Sequence, residues 1–417
     1  MIGSSREFLD TVAGYSNASN SGPKSSLERP IRIGTIDPYY TSGQARILFD
    51  GETVISDRGY SWVSTYSPVG GDRVYLVPVG QTYLIGGSFS SSIPYSKYYD
   101  IPLASDWSVY SSAFHNPSFT KTPTGLVKLT GLALYSTTTQ LADGILIGTL
   151  PDGFRPIRDM SFICMTGSNL MGVVEVLTNG QIKTKNDVWG SWVSLANIAF
   201  QTEDIAWTQL AYLNGWGAGS VNPERNLIYG KDSIGRTFVN GSFGKTPAPT
   251  VDTVAFNLPA GYRPDQGIYT VGGAVVGSSG GFANLFMNSG TGDFSWRVGT
   301  VDSNEVSVDG VIIPPAGKSW STPTMTGTWV SYGSSNNPEY YKDSEGVVHM
   351  RGLIKSGTIN SSCFTLPTGY KPTKNIVRAT VSNGQAARLD IRSDGLVMPV
   401  TGNNAWFSLD CSFTAEA

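Results

Sequence analysis

The chain has 417 residues, 40% of them hydrophobic and 15% charged, with 49 Gly, 23 Pro and 20 Tyr. That is enough apolar material for three or four cores, and the composition excludes a body of long charged helices. A net charge of −3, with Lys and Arg scattered, excludes a nucleic-acid partner, and no window approaches the roughly 18 apolar residues of a membrane span.

Residues 1–28 read as a polar arm. Ser4 followed by Glu7 resembles a capping box, and Phe8, Leu9 and Val12 form an apolar stripe, so one short helix is expected. Ser16 to Ser26 has linker composition. The start lacks the charged lead and apolar core of a signal peptide, so synthesis in the cytoplasm is the expectation. Residues 29–87 hold β-rich runs at Ile31–Ile33, Gln44–Phe49, Asp72–Pro78 and Thr82–Ile85, with turns at Asp50-Gly51 and Gly80-Gln81. About five short strands in such a length suit a small closed barrel of the OB type, a docking or spacer module with no ligand cavity. Residues 88–103 are a Ser-rich linker.

One stretch then occurs three times: Leu150-Pro151-Asp152-Gly153-Phe154-Arg155-Pro156, Leu258-Pro259-Ala260-Gly261-Tyr262-Arg263-Pro264, and Leu366-Pro367-Thr368-Gly369-Tyr370-Lys371-Pro372. The spacing is 108 residues each time, which is domain-sized, so three tandem units are expected at 104–200, 201–327 and 328–417. Each copy reads as a corner after a strand. The first Pro has no N–H for the ladder, Gly accepts φ > 0, and the aromatic covers the bend. Trp107, Trp207 and Trp329 open the units as core residues. Hairpins around Lys121, Lys231 and Lys342 follow, and then alternating strands run to Gly131, Gly241 and Gly352. Turns every 8–12 residues or so predict two antiparallel sheets per unit, of jelly-roll type. The fold expected is therefore all-β, an OB-like barrel followed by three tandem jelly-roll-type β-sandwiches. The middle unit carries a longer loop at Tyr212–Asn226, the kind of insertion where binding tends to live.

Chemistry is sparse. Cys164 and Cys363 fall in alternating strands as buried thiols, a Cys363–Cys411 bridge stays open, and no zinc spacing exists. His115 and His349 have no nucleophile at hand, which excludes a Ser-His-Asp hydrolase. The acid pairs Asp343/Glu345, Asp390/Asp394 and Asp302/Glu305 lie at turns or along strands, where acids are common for local reasons. Gly277 to Gly281 lacks the Lys of a phosphate loop, and no calcium loop appears. No catalytic residue, metal or cofactor is expected. Sugars are held by an aromatic face with amide, carboxylate and guanidinium groups around the ring. Three clusters offer this: Asn403, Asn404 and Trp406; Tyr332, Asn336 and Tyr340; and Trp216 with Arg225.

The pattern of Trp, Tyr-x-Lys-Asp, Leu-Pro-x-Gly-Tyr-Arg/Lys-Pro and Asp/Asn-Gly resembles the distal β-sandwich domains of phage tail fibres and receptor-binding proteins of Gram-positive hosts. Asp72 to Gly86 is similar to OB-type modules of tail-tip proteins. Together the resemblances cover residues 29–417. They imply a virion protein, anchored to tail-tip or baseplate proteins through residues 1–87, whose distal sandwiches touch a host cell-wall polysaccharide or teichoic acid. Fibres of this kind are usually homotrimers, although no coiled-coil or collagen-like stalk is present here. The third unit is expected to be the distal tip. The alternatives are a glycan-degrading enzyme on the same scaffold and a secreted carbohydrate-binding protein.

Overall fold

The computed structural model describes residues 29–415, except 41, 65, 67, 69, 89–97, 203–204, 220–224, 246–249, 277–278 and 300–304. The expected N-terminal helix and most of the Ser-rich linker lie outside the described residues. The architecture is all-β. Among the described residues the only helical element is the three-residue 3-10 turn Gly167–Asn169, and no helix is long and apolar enough to cross a membrane.

The first unit is a five-stranded sheet in the order Gly59–Tyr60, Ala45–Phe49, Arg32–Ile36, Arg73–Val79, Thr82–Ser88. A parallel bridge between Trp62 and Ile85 closes it, with Val63 N–H donating to the Ile85 carbonyl. This is the expected OB-like barrel. Inward residues Ile36, Ile47, Val74, Leu76 and Ile85 are fully buried, so side chains fill the interior. The barrel docks on the first sandwich, where the Tyr39 ring meets Phe119 edge-on at 6.1 Å and Gly71 faces Phe154.

The three sandwiches share one plan. In the first, the large sheet runs Leu146–Thr149, Gln181–Asn186, Leu170–Val176, Met160–Thr166, Val193–Ser194, Leu132–Tyr135. The second and third repeat that order from Thr253–Asn257 and Phe364–Thr365, respectively. Each large sheet faces a small one built on a Lys hairpin: Ser118–Lys121 with Leu126–Thr130, Ile228–Lys231 with Thr237–Asn240, and Glu339–Lys342 with Val347–Arg351.

The prolyl corners fall in the same place in every copy, and the Lys hairpins explain why the two motifs travel together. The backbone N–H of Leu150, Leu258 and Leu366 donates to Gly180, Gly292 and Gly395. Gly153, Gly261 and Gly369 sit at φ 81°, 88° and 83°, where a Cβ would be strained. Lys121 donates to the Gly153 carbonyl at 3.1 Å, Lys342 to Gly369 at 2.6 Å, and Lys231 to Gly261. The same ammonium groups lie over Phe154, Tyr370 and Tyr262 at 6.0, 5.4 and 4.8 Å.

The sandwiches do not stand in a row. Their central strands Met160–Thr166, Ile268–Val276 and Ile376–Ser382 face one another around a common axis. Ile163, Val271 and Ala379, at spacings of 108, hold the same register positions and join one buried cluster. That is why Met160–Thr166 is buried on both faces: Phe162 and Cys164 point into the sandwich core, Ile163 and Met165 into the axial one. At the other end the hairpins meet on Arg236, which is fully buried and bonded to Asp232, Asp343, Glu345 and Thr124. Residues 328–415 are therefore one side of a threefold body, and the expectation of a third unit projecting beyond the others is corrected. All three cysteines are free, so no Cys363–Cys411 bridge forms.

Candidate functional site

One hydrogen-bonding device joins the sandwiches pairwise. Ser194, Ser307 and Ser408 donate through Oγ to the carbonyls of Val377, Ser161 and Tyr269, each at 2.7 Å. First grips third, second grips first, third grips second, and the circle closes. A nearby side-chain oxygen then takes an N–H from the gripped strand: Asp309 from Ser161 at 2.8 Å, Asp410 from Tyr269 at 2.8 Å, and Asn197 from Ala379 at 2.9 Å. Burial pushes the Asp410 carboxyl up to about 7, even though N–H groups of Tyr269 and Gly352 and the Ser408 hydroxyl hold its oxygens.

Beside each grip lies a niche, and strand register makes the three comparable. Val173, Asn284 and Arg388 pair with the equivalent residues Ile163, Val271 and Ala379. Between second and first sandwiches, the niche is filled by Arg225. It is 6% exposed and bonded to the Ser161 and Ser307 hydroxyls, Glu305 and Asp309. Between first and third, Arg388 fills it. The guanidinium is held by both oxygens of Asp390 at 2.6 and 2.7 Å and lies 5.4 Å from the Trp192 ring.

Between third and second sandwiches the position of Arg388 is taken by the short Asn284, and a cleft of about 310 Å³ stays open. Trp406, Tyr269 and Tyr332 line it, with Trp406 and Tyr269 rings 5.3 Å apart. Arg297 lies 4.6 Å over Phe286, with Nη1 on Asp252 and Nε without a partner. Asn284 is 2% exposed and its Oδ1 has no partner. A buried acceptor left open at a cleft wall is a cost that a bound donor removes.

Of the residues singled out from sequence, the structure brings Trp406 and Tyr332 together in this cleft. The others serve elsewhere. Asn403 Oδ1 accepts the Ala405 N–H, and Asn404 Nδ2 donates to the Gly357 carbonyl, so both build the turn before Trp406. Asn336 closes a loop by donating its N–H to Gly333 and accepting from Leu353. Tyr340 packs edge-on against the corner residue Tyr370 at 5.1 Å. Trp216 is a core residue, 5% exposed and 5.0 Å from Phe243, and Arg225 is the plug described above.

Tyr269, Arg297, Asp252 and Asn284 were not singled out from sequence, because they come from the second copy while Trp406 and Tyr332 come from the third. The acid pairs are bound up in the fold. Asp343 and Glu345 hold Arg236, Asp390 holds Arg388, Glu305 holds Arg225, and Asp394 faces Arg392 at 3.0 Å. Asp302 lies outside the described residues. His349 bonds Asp343 at 3.1 Å and His115 bonds Thr373 at 3.0 Å. Among the described residues no group of three His, Cys, Asp or Glu is placed to hold a metal ion. No protein-family model, no curated protein and no solved structure matches this chain.

Proposed function

We propose that the protein is a phage tail fibre or receptor-binding protein. It attaches to the tail through residues 1–87 and holds a host cell-surface glycan in the cleft between its second and third sandwiches. The observation that supports this reading most is the unfilled niche. Two equivalent niches are plugged by arginine, and the third is walled by three aromatic side chains with unpartnered polar atoms of Asn284 and Arg297. Aromatic faces take the C–H side of a pyranose, and amide, guanidinium and carboxylate groups take its hydroxyls. Among the described residues Asp252 is the only carboxylate lining the cleft, and its oxygen is taken by Arg297, whereas glycoside hydrolysis needs two carboxyl groups. The homotrimer belongs to the same proposal. The contacts a trimer of single sandwiches would make already exist within one chain, so light scattering should be read against 44.6 kDa and three times that mass.

The test is adsorption of the intact chain to a panel of purified Gram-positive wall polysaccharides and teichoic acids. Trp406→Ala and Tyr332→Ala should lose most binding to whichever glycan the parent retains, while Asn403→Ala keeps it. Undiminished binding by Trp406→Ala removes the cleft from the account, and release of reducing ends from the walls would favour an enzyme.

A further inference from the structure

Position 162 in the first sandwich is Phe, its ring 6.2 Å from Phe200, and the equivalent position in the third, 216 residues on, is Arg378. A cation thus stands where an aromatic ring fills the first copy. Arg378 is 9% exposed; Nη1 donates to the Ala196 carbonyl, and Nε has no partner. Among the described residues it forms no ion pair, and the thiols of Cys411 and Cys164 near it are pushed up by burial, to about 11 and about 12, so they are neutral and supply no counter-charge. An arginine cannot shed its proton as a buried lysine can, so a counter-charge has to come from elsewhere.

Beside it lies a cavity of about 70 Å³ where second and third sandwiches meet, lined also by Thr270 and Trp320. The indole N–H of Trp320 has no acceptor either. The other acidic and basic groups of the lining have hydrogen-bond partners of their own, and burial pushes Asp410 up to about 7, toward its neutral form. Arg351 pairs with Glu339, His349 with Asp343, Asp265 accepts the Gly317 N–H, and Asp410 accepts N–H groups of Tyr269 and Gly352. Arg378, with its idle Nε–H, and Trp320, with its idle indole N–H, both line a space larger than a single water needs.

We propose that this cavity is a site for a small monovalent anion, a halide, which neutralises Arg378 and locks the second and third sandwiches together. The proposal is independent of the glycan reading. It is tested by the anomalous signal of bromide in crystals of the intact chain, and by melting in sodium bromide against sodium gluconate at equal ionic strength. Bromide density against the Arg378 guanidinium, with a Tm several degrees higher in bromide and no such difference in Arg378→Met, is the expected result. Water alone in the cavity overturns the proposal, as does a bromide effect that survives in Arg378→Met. Should that variant fail to fold, the anomalous map of the parent decides alone.

Discussion

Asn284 and Arg388 hold the same register place in successive sandwiches, the first opposite Val271 and the second opposite Ala379. The long side chain reaches Asp390 and Trp192 and closes its niche, whereas the short one leaves a cleft. Asn284→Arg should therefore convert the open niche into a closed one. Glycan affinity should fall at least tenfold, about 1.4 kcal/mol, with Tm little changed. Titration calorimetry beside a melting curve checks both.

Arg236 gathers two buried acids of the third sandwich, one of its own and a half-buried threonine of the first. Removing the cation strands these carboxylates without a counter-charge. Arg236→Ala should cost about 3–5 kcal/mol of unfolding free energy, measured by denaturant titration. A loss near zero would mean that the cluster does not hold the sandwiches together.

Asp410 and Lys128 set opposite slopes on either side of neutrality. Burial raises Asp410 to about 7, so from about pH 4 to 7 the folded chain keeps a proton that the unfolded chain has released, and stability falls as pH rises. Burial lowers Lys128 to about 7, its ammonium donating to the Ser412 carbonyl and hydroxyl. From about 7 to 10 the unfolded chain holds the extra proton, and stability rises with pH. Melting between pH 5 and 9 should show a minimum near neutrality. Lys128→Met should flatten the alkaline limb and Asp410→Asn the acid one.

Truncation after Gly327 removes one third of the axial wall and bares Ile163, Met165 and Val271. The shortened chain should aggregate or bind a hydrophobic dye, which size exclusion and fluorescence report. A monodisperse, dye-silent fragment would mean that the sandwiches stand alone.

Much of the fold was legible because its signals are local. Leu-Pro-x-Gly and the Lys hairpins mark their own turns, and a repeat of 108 residues needs no partner to be seen. The arrangement around the axis was not, since its evidence is relational. Met160-Ser161-Phe162-Ile163-Cys164-Met165 is a strand apolar on both faces, which says that something covers the outer face without saying what. Ser307 and Ser408 look like ordinary strand-end serines until their acceptors in other copies are known. The cleft was half legible: Trp406 and Tyr332 lie in the third copy, and nothing in their own neighbourhood points to Arg297 or Asn284 in the second.

The claim at the centre is that one of three equivalent junctions was left unplugged to receive a sugar. A crystal structure of the intact chain with an oligosaccharide from the wall it adsorbs to tests this most directly. The account predicts one sugar ring per chain, lying against Trp406 with a hydroxyl on Asn284 Oδ1. Sugar seated on another face, with the space between Trp406 and Tyr332 empty, would contradict it.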